Sequence, residues 1–561
     1  MSPTWGTNVR PMASDDTVSN PAPDVVKRLK AIRARDGEVV VIDPRRTETA
    51  AMASAHHFVK PGTDALVLLA LLHVIFAERL ERLGALGDFT DGLDDVRAMV
   101  ASWSPERVAP HTGVAADTIR TIARDFAAAS SAVAYGRVGV SMQEFGALSC
   151  WLITVLNVVT GRLDAVGGAM FTKPAVDLVA GAGLYAGGKF GRWSSRVRGL
   201  PEFGGELPVA TLADEIETPG DGQIRAMVTH AGNPVLSTPN GGRLDRALGD
   251  LEFMVSFDFF INETTRHAHV ILPPAFALER DHYDTVFHTL AIRNTAKFSR
   301  AVFTPSADAM QDWEILSAMT TRLRRGAPEE VAKLRAGDAK RAGLGPRGLL
   351  DLGLRSGPYG GARDSTPSGL SLAALDAAPH GIDLGALAPC LPERLRTPDH
   401  RIALSPAPLV ADLARLEASA ASTAPGDAPS DTQELSLIGR RALRSNNSWM
   451  HNSERLVRGR NRCTLFMHSS DAAQRGVHDG DRVRVTSRVG EIDVELAVTD
   501  DIMPGVVSLP HGWGHDRDDV HLRVARTHGG VSINDLTDEQ RVDALCGNAA
   551  FSGTPVTVQP L

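Results

Sequence analysis

VVKRLKAIRARDGEVVVIDP, residues 25–44, reads in two halves. VVKRLKAIRA places its apolar residues at helical spacing. After Asp36 and Gly37, EVVVIDP is an unbroken apolar run closed by Pro44, the signature of a strand buried on both faces. A helix that feeds such a strand is half of a parallel α/β unit. The same grammar recurs in AVAYGRVGV (132–140) followed by an apolar helix, in IRAMVTHAGNP (224–234), and in FMVSFDFF (253–260) followed by HVILPP (269–274). These runs predict α/β architecture with open, mostly parallel sheets, in which ligands sit beyond the carboxyl ends of the strands.

Further along, the text changes twice. Between about residues 326 and 433, clusters such as GLGPRGLL, GPYGGARDSTPSG and ASAASTAPGDAPSD predict an irregular connector ending in a flexible linker. Beyond it RVRVTSRVG (482–490), EIDVELAV (491–498) and GVVSLP (505–510) alternate apolar with polar residues around a Val489-Gly490 turn, as strands of a β-barrel do. The predicted organisation is an α/β domain at 1–130, a second at 131–325, the connector at 326–433 and a barrel domain at 434–561.

At 561 residues the chain is too long for one core, and 43% hydrophobic with 22% charged residues is ordinary for a globular protein. A formal charge of −8 argues against nucleic acid or an anionic membrane as partner. The longest apolar run, Ala65 to Ala77, is broken by His73 and falls short of a bilayer span, so it predicts a buried helix. Cys150, Cys390, Cys463 and Cys546 lie far apart, without metal or redox spacing, and read as small core residues; no metal ligand is predicted. The opening MSPTWGTNVRPMASDD lacks the basic-then-apolar pattern of a secretory signal, which predicts a cytoplasmic protein.

Hydrolase elbows, zinc-protease helices and phosphate-binding P-loops are absent from the sequence, and Gly181, Gly183 and Gly187 do not follow a clear strand. More informative are polar residues that end predicted strands: Asp43, Asn233 and Asp258. Such groups bond guanine edges and ribose hydroxyls, while Arg45, Arg46 and Thr63 suit phosphates. Taken singly, each is better read as a cap on the helix that follows. Arg440, Arg441, Arg444, Arg455, Arg458, Arg460 and Arg462, interleaved with Asn446, Asn447, Ser448, Trp449 and His451, suit a bulky nucleotide-like ligand. His282 and His451 read as structural or surface histidines, with a proton relay as the alternative.

WGTNVRPM, VVVIDPRRTETA, KPGTDALVLLALLHVI, HAGNPVLSTPN, MVSFDFFINETTRHAHVILPPAFALERD and GVSINDLTDEQRVDALCGNAAFSGTPVTV follow one another in an order that resembles the molybdopterin oxidoreductases of the dimethyl sulfoxide reductase superfamily, the group of formate dehydrogenases and nitrate reductases. The resemblance implies molybdenum or tungsten chelated by two molybdopterin guanine dinucleotides, bis-MGD, in a funnel between α/β domains covered by a carboxyl-terminal barrel. It places one dinucleotide against Trp5, Gly6, Asn8, Met12, Asp43, Arg45, Thr47, Gly62, Thr63 and Asp64. The second falls against Asn233, Phe257, Asp258, Arg280 and Asp312, and, in the barrel, against Gly439, Arg440, Asn446, Asn447, Asn534 and Ser552. The loop Gly139–Gly146, with Met142 and Gln143, would lie nearer the metal. Phe257 stands where relatives commonly carry a small hydroxyl residue, and Ser552 where a basic residue is frequent.

Relatives of the formate dehydrogenase and nitrate reductase branch also carry, before the WGTN motif, cysteines for a [4Fe–4S] cluster and a residue that ligates the metal. Neither precedes Trp5 here. The expectation is an oxidoreductase large subunit truncated at its start, acting on a small substrate of the formate or nitrate class, with an electron-transfer subunit or a separate amino-terminal polypeptide as partner. The catalytic residues are left unassigned, and the alternative is a module that binds the cofactor without turnover. A strand missing before WGTN would leave the first sheet with an open edge.

Overall fold

The computed structural model describes residues 2–5, 24–179, 190–324, 326, 328–361, 369–422 and 434–561. Gly6, Asn8, Met12, Gly181, Gly183 and Gly187 lie outside the described residues.

The first sheet is built from β1 (Ser2–Trp5), β2 (Val39–Ile42), β3 (Ala55–His57) and β4 (Tyr135–Gly136), all parallel, in the order β3-β2-β1-β4. Helix α1 (Val25–Arg33) leads into β2 and is capped by the Asp24 carboxylate, which accepts from the Lys27 amide at 3.0 Å. Every residue of β2 is buried, as a strand covered on both faces requires. The apolar run forms α2 (Asp64–Ala77), almost wholly buried, and packs with α3 (Gly146–Val159) in the largest core of the molecule. A second parallel sheet joins β5 (Ala226–His230), β6 (Phe253–Phe257) and β7 (Val270–Ile271), with α4 (Gly241–Gly249) between its first two strands.

The carboxyl-terminal strands β8 (Leu435–Arg440), β9 (Thr464–Met467), β10 (Arg482–Thr486), β11 (Glu491–Val498), β12 (Val506–Pro510) and β13 (Thr554–Pro560) close into a six-stranded barrel in the order β8-β12-β9-β11-β10-β13. Buried and outward positions alternate along β10 and most of β11, so the period-two reading of these stretches holds. Among the described residues no helix is long and apolar enough to cross a membrane.

Four expectations change. The first sheet has no vacant slot: Ser2–Trp5 pairs with β2 along its length and with β4 at Thr4 and Trp5. Pro3, which lacks an N–H, falls where only one neighbour pairs. The 132–140 run supplies only a two-residue strand, because Val138–Ser141 turns into a short helix. β4 and α3 nevertheless belong with the first sheet and its core, so residue 130 falls inside that unit. The connector is not irregular: Pro328–Ser356 is helical, broken at Gly345 (φ 60°, ψ 177°) ahead of Pro346, and Ala407–Ser422 is a further helix. Alanine and leucine outweigh the scattered glycines there, while the rest of the expected linker, 423–433, is outside the described residues. Finally, of the four cysteines only Cys463 is buried, and Cys150 is exposed.

Candidate functional site

A cavity of about 540 Å³ opens where the carboxyl ends of the first sheet meet the barrel. From the turn after β2 it takes Asp43, Arg45 and Thr47; from the start of α2, Asp64; from the loop before α3, Met142 and Gln143. The barrel contributes Gly439, Arg440, Asn447, Asn534 and Ser552. Two backbone features seat these segments together. The Ser552 amide donates to the Met142 carbonyl at 3.1 Å. Gly512 has φ +90° and lies so close to the Asn447 carbonyl that a Cβ would overlap it, which brings His511 to the cavity wall.

Charge sets what this cavity accepts. Arg440 is held between the Ser508 carbonyl, the Thr464 carbonyl (2.5 Å) and the Thr464 hydroxyl (3.2 Å), with its guanidinium 3.6 Å over the Phe466 ring. None of these partners is anionic. Burial, with the charge of Arg45 added, lowers its pKa to about 9, the mark of a cation short of a counter-ion. Across the cavity, burial pushes the Asp64 carboxyl up to about 6, against the hydrogen bond it accepts from Gln143, and the Asp43 charge adds to the rise. The Gln143 Nε2 donates to Asp64 Oδ2 and to the Gly139 carbonyl, both at 2.7 Å, which fixes the amide orientation since both partners accept. Its Oε1 is then buried without a partner among the described residues. An orphaned acceptor and an unneutralised arginine on the wall of one cavity call for a ligand with both an anionic group and N–H or O–H donors. A phosphate-bearing pterin or guanine nucleotide has that chemistry, so the residues present fit the expected dinucleotide.

Other expected residues lie apart from the cavity lining. Gly62 (φ +85°) shapes the turn before α2, and the Thr63 hydroxyl donates to the Lys60 carbonyl. Asn446, with φ 41°, sits in the turn next to Asn447. For Trp5 the backbone pairing at the end of β1 is what places it beside the cavity's elements. At the carboxyl end of the second sheet, Asp258 caps its own loop: Oδ1 accepts from the amides of Phe259 (2.6 Å) and Phe260 (3.1 Å), and Oδ2 from Asn262 Nδ2 (2.9 Å). Burial still raises the Asp258 carboxyl above its usual value despite these bonds. Phe257 is a core residue packed with Val255 and Ile315. Arg280 pairs with Asp312, which also meets His230 at 3.3 Å, so these charges neutralise one another. Asn233 bonds Glu263 and Thr264. Asn534 donates to the Leu236 carbonyl at 2.7 Å and accepts from Thr537, tying the barrel to the Asn233 turn while still lining the cavity.

Sequence reasoning did not pick out Arg137, Ser237, His511, Asn548 or Phe551, which also line the cavity. His511 follows β12 directly, so the strand-end rule that singled out Asp43 would have found it. Burial, with the Arg441 charge added, pushes its pKa down to about 3. The arginine run does not act as one patch: Arg462 spends its donors on the Leu456 and Arg458 carbonyls.

Comparison with known proteins agrees with this geometry. Residues 4–322 match the family described as "Molybdopterin oxidoreductase" and residues 435–555 the "Molydopterin dinucleotide binding domain". The dimethyl sulfoxide/trimethylamine N-oxide reductase of Rhodobacter capsulatus is 26% identical over 559 residues, covering 88% of this chain and 63% of the relative. Formate dehydrogenase H of Escherichia coli is 31% identical over 319 residues, 54% of this chain and 44% of the relative. The assimilatory nitrate reductase catalytic subunit of Bacillus subtilis is 23% identical, with 96% of this chain and 72% of that protein covered. The chain thus spans less than two thirds of the length of the first two relatives. Among solved structures, acetylene hydratase from Pelobacter acetylenicus superposes with a TM-score of 0.73 over 100% of this chain and 78% of its own, at 17% identity, a likeness of fold.

Proposed function

The chain belongs to the molybdopterin oxidoreductase family, and from that premise we propose that it is the bis-MGD-binding large subunit of an oxidoreductase for a small substrate. One observation carries the reading: the cavity between the first sheet and the barrel sets the half-buried Arg440, whose hydrogen-bond partners are neutral, against the unpartnered Gln143 Oε1. When bound, the group supplies two-electron chemistry at its metal. The protein's part is to bind and orient. Arg440 and Arg45 favour the pyrophosphate, Gln143 accepts from a ring N–H, and the Asp64 carboxyl, protonated below about pH 6, gives or takes a proton at the cavity wall. The strand-end loops with Asn233 and Asp258 receive the second dinucleotide.

Formate and nitrate are the substrates proposed from sequence; the Rhodobacter capsulatus relative is a dimethyl sulfoxide/trimethylamine N-oxide reductase, so the assay must span all three classes. An electron-transfer partner and a cytoplasmic location complete the proposal, as does division into two α/β units, a connector and the barrel. The test is metal analysis with nucleotide release on protein made in a host that synthesises the cofactor. Near-stoichiometric molybdenum or tungsten together with GMP after acid hydrolysis is the expected result. Folded protein lacking both would overturn the reading. Retention without dye-coupled turnover of formate, nitrate or dimethyl sulfoxide would favour the alternative, a cofactor-binding module.

A further inference from the structure

Beside the residues that line the cavity, six side chains from two units form one hydrogen-bonded series. The Ser445 hydroxyl lies 2.8 Å from His451 Nε2, His451 Nδ1 lies 2.9 Å from His515 Nε2, and His515 Nδ1 lies 2.8 Å from Glu263 Oε1. Asn233 Nδ2 reaches Glu263 Oε2 at 2.7 Å, and the Thr264 hydroxyl donates to Asn233 Oδ1 at 2.7 Å. His515, Glu263 and Thr264 are fully enclosed, and His451 and Ser445 nearly so. Three ionisable groups in series with almost no solvent contact are costly to keep unless their bonds do something a hydrophobic trio would not.

Elementary hydrogen-bond chemistry gives the series a direction. An ionised carboxylate only accepts, so His515 Nδ1 carries a proton and Asn233 presents its nitrogen rather than its oxygen to Glu263. Burial opposes the ionised form of Glu263, yet the hydrogen bond and charge of His515 and the Asn233 bond more than offset it and hold the carboxyl below its usual range. Burial and the charge of His515 keep His451 neutral, with its pKa near 3. One proton between the two imidazoles and one on His515 Nδ1 join Ser445, His451, His515 and Glu263 into a single series in which each bond polarises the next. Around this series, Asp258 faces Glu263, while His511 and Arg462 face His451. The Trp513 ring stacks on His451 at 4.0 Å.

We propose that Glu263 and His515 are positioning residues for the dinucleotide: they lock the Asn233 amide so that its remaining N–H and lone pair meet the ligand in one fixed orientation. The proposal rests on the bis-MGD reading above. Ser237, whose hydroxyl donates to the Asn233 carbonyl at 3.0 Å, is one turn further on and lines the cavity, which connects the locked amide to the site. Were Glu263 to take up a proton, its O–H would compete for the Asn233 oxygen, and the amide would have two orientations in place of one.

The experiment measures GMP released per chain from cofactor-loaded protein after fixed dialysis, relative to wild type at the same pH, with folding followed by circular dichroism. His515→Met removes the donor to Glu263, so retention falls about tenfold near pH 6 and recovers towards pH 9 as the carboxylate re-forms. His515→Gln, which keeps a donor, restores most of the retention. The double variant H515M/E263Q loses the pH dependence, because the titrating group is gone. Glu263→Gln alone preserves shape but offers Asn233 either edge, so it lowers retention severalfold at every pH. Should His515→Met fail to fold, Glu263→Gln still decides the matter. Retention by E263Q equal to wild type, or a loss in H515M that is the same at every pH, overturns the proposal. If wild type itself holds no GMP, it is the bis-MGD reading that fails.

Discussion

At the scale of single residues the cavity sets ligand binding against stability. Asp64 has an ordinary carboxyl pKa of 3.8 in the unfolded chain and about 6 in the fold. The folded state therefore binds the proton more tightly, and the ligand-free protein loses stability as pH rises from about 4 through about 6. Asp64→Asn keeps an acceptor for Gln143 but removes the buried charge. It should stabilise the empty protein by at most about 3 kcal/mol near pH 8 and by nothing near pH 4, while weakening GMP retention. Urea titrations at both values check this, and an equal effect at the two would disprove it. Arg440 gives the opposite case. Arg440→Lys replaces a fork that reaches Ser508 and Thr464 at once with a point charge, and should cut GMP retention by roughly ten- to a hundredfold. Sequence brought three of the cavity residues forward by different routes: Asp43 as the end of a strand, Arg440 through the arginine run, and Asp64 only through the family resemblance. At Asp258 the sequence left both a cap and a ligand contact open, since whether a strand-end carboxylate meets a ligand or its own loop amides depends on a few degrees of backbone rotation that no spacing encodes.

Elements were legible in proportion to how strongly one period dominates them. The alternating stretches became β10 and β11, and the apolar run interrupted only by His73 became α2, almost wholly enclosed. Because α2 packs with α3 beneath the first sheet, damage there is felt at the cavity it supports. Leu69 is wholly buried in α2 and Leu344 is 47% exposed. Leu69→Ala should cost about 2–5 kcal/mol and Leu344→Ala under about 0.5 kcal/mol. The two urea midpoints, measured side by side, check the contrast, and near-equal losses would place α2 outside the cooperative core. The connector was misread for the converse reason. Its glycines and prolines are spread among helix-forming residues, and only the Gly345-Pro346 step breaks the helix, whereas composition counts every glycine alike.

The whole molecule is joined by charges that no local pattern reveals, because the pair that links the units, Asp245 and Arg517, lies 272 residues apart in sequence. Asp245 on α4 accepts from Arg266 (2.8 Å), His267 Nε2 (2.6 Å) and Arg517 (2.8 Å), and Arg517 continues to Asp535 (2.8 Å). The carboxylate thus bolts the second sheet's unit to the barrel unit, in addition to the series through Glu263. Burial alone would raise the Asp245 pKa, but the bonds from His267 and Arg266 and the Arg517 charge outweigh it and hold the carboxyl far below its usual range. A depressed folded pKa means the unfolded chain takes the proton first, so this stabilisation is complete above about pH 4 and is lost as pH falls further. Asp245→Asn keeps the shape and leaves Arg266 and Arg517 without their shared anion. The expected cost near neutral pH is about 2–4 kcal/mol, seen as a lower urea midpoint, and the gap to wild type should close in acid as wild type loses the same charge. If the gap stayed constant from neutral pH into acid, the loss would be one of packing rather than of the ionic bolt.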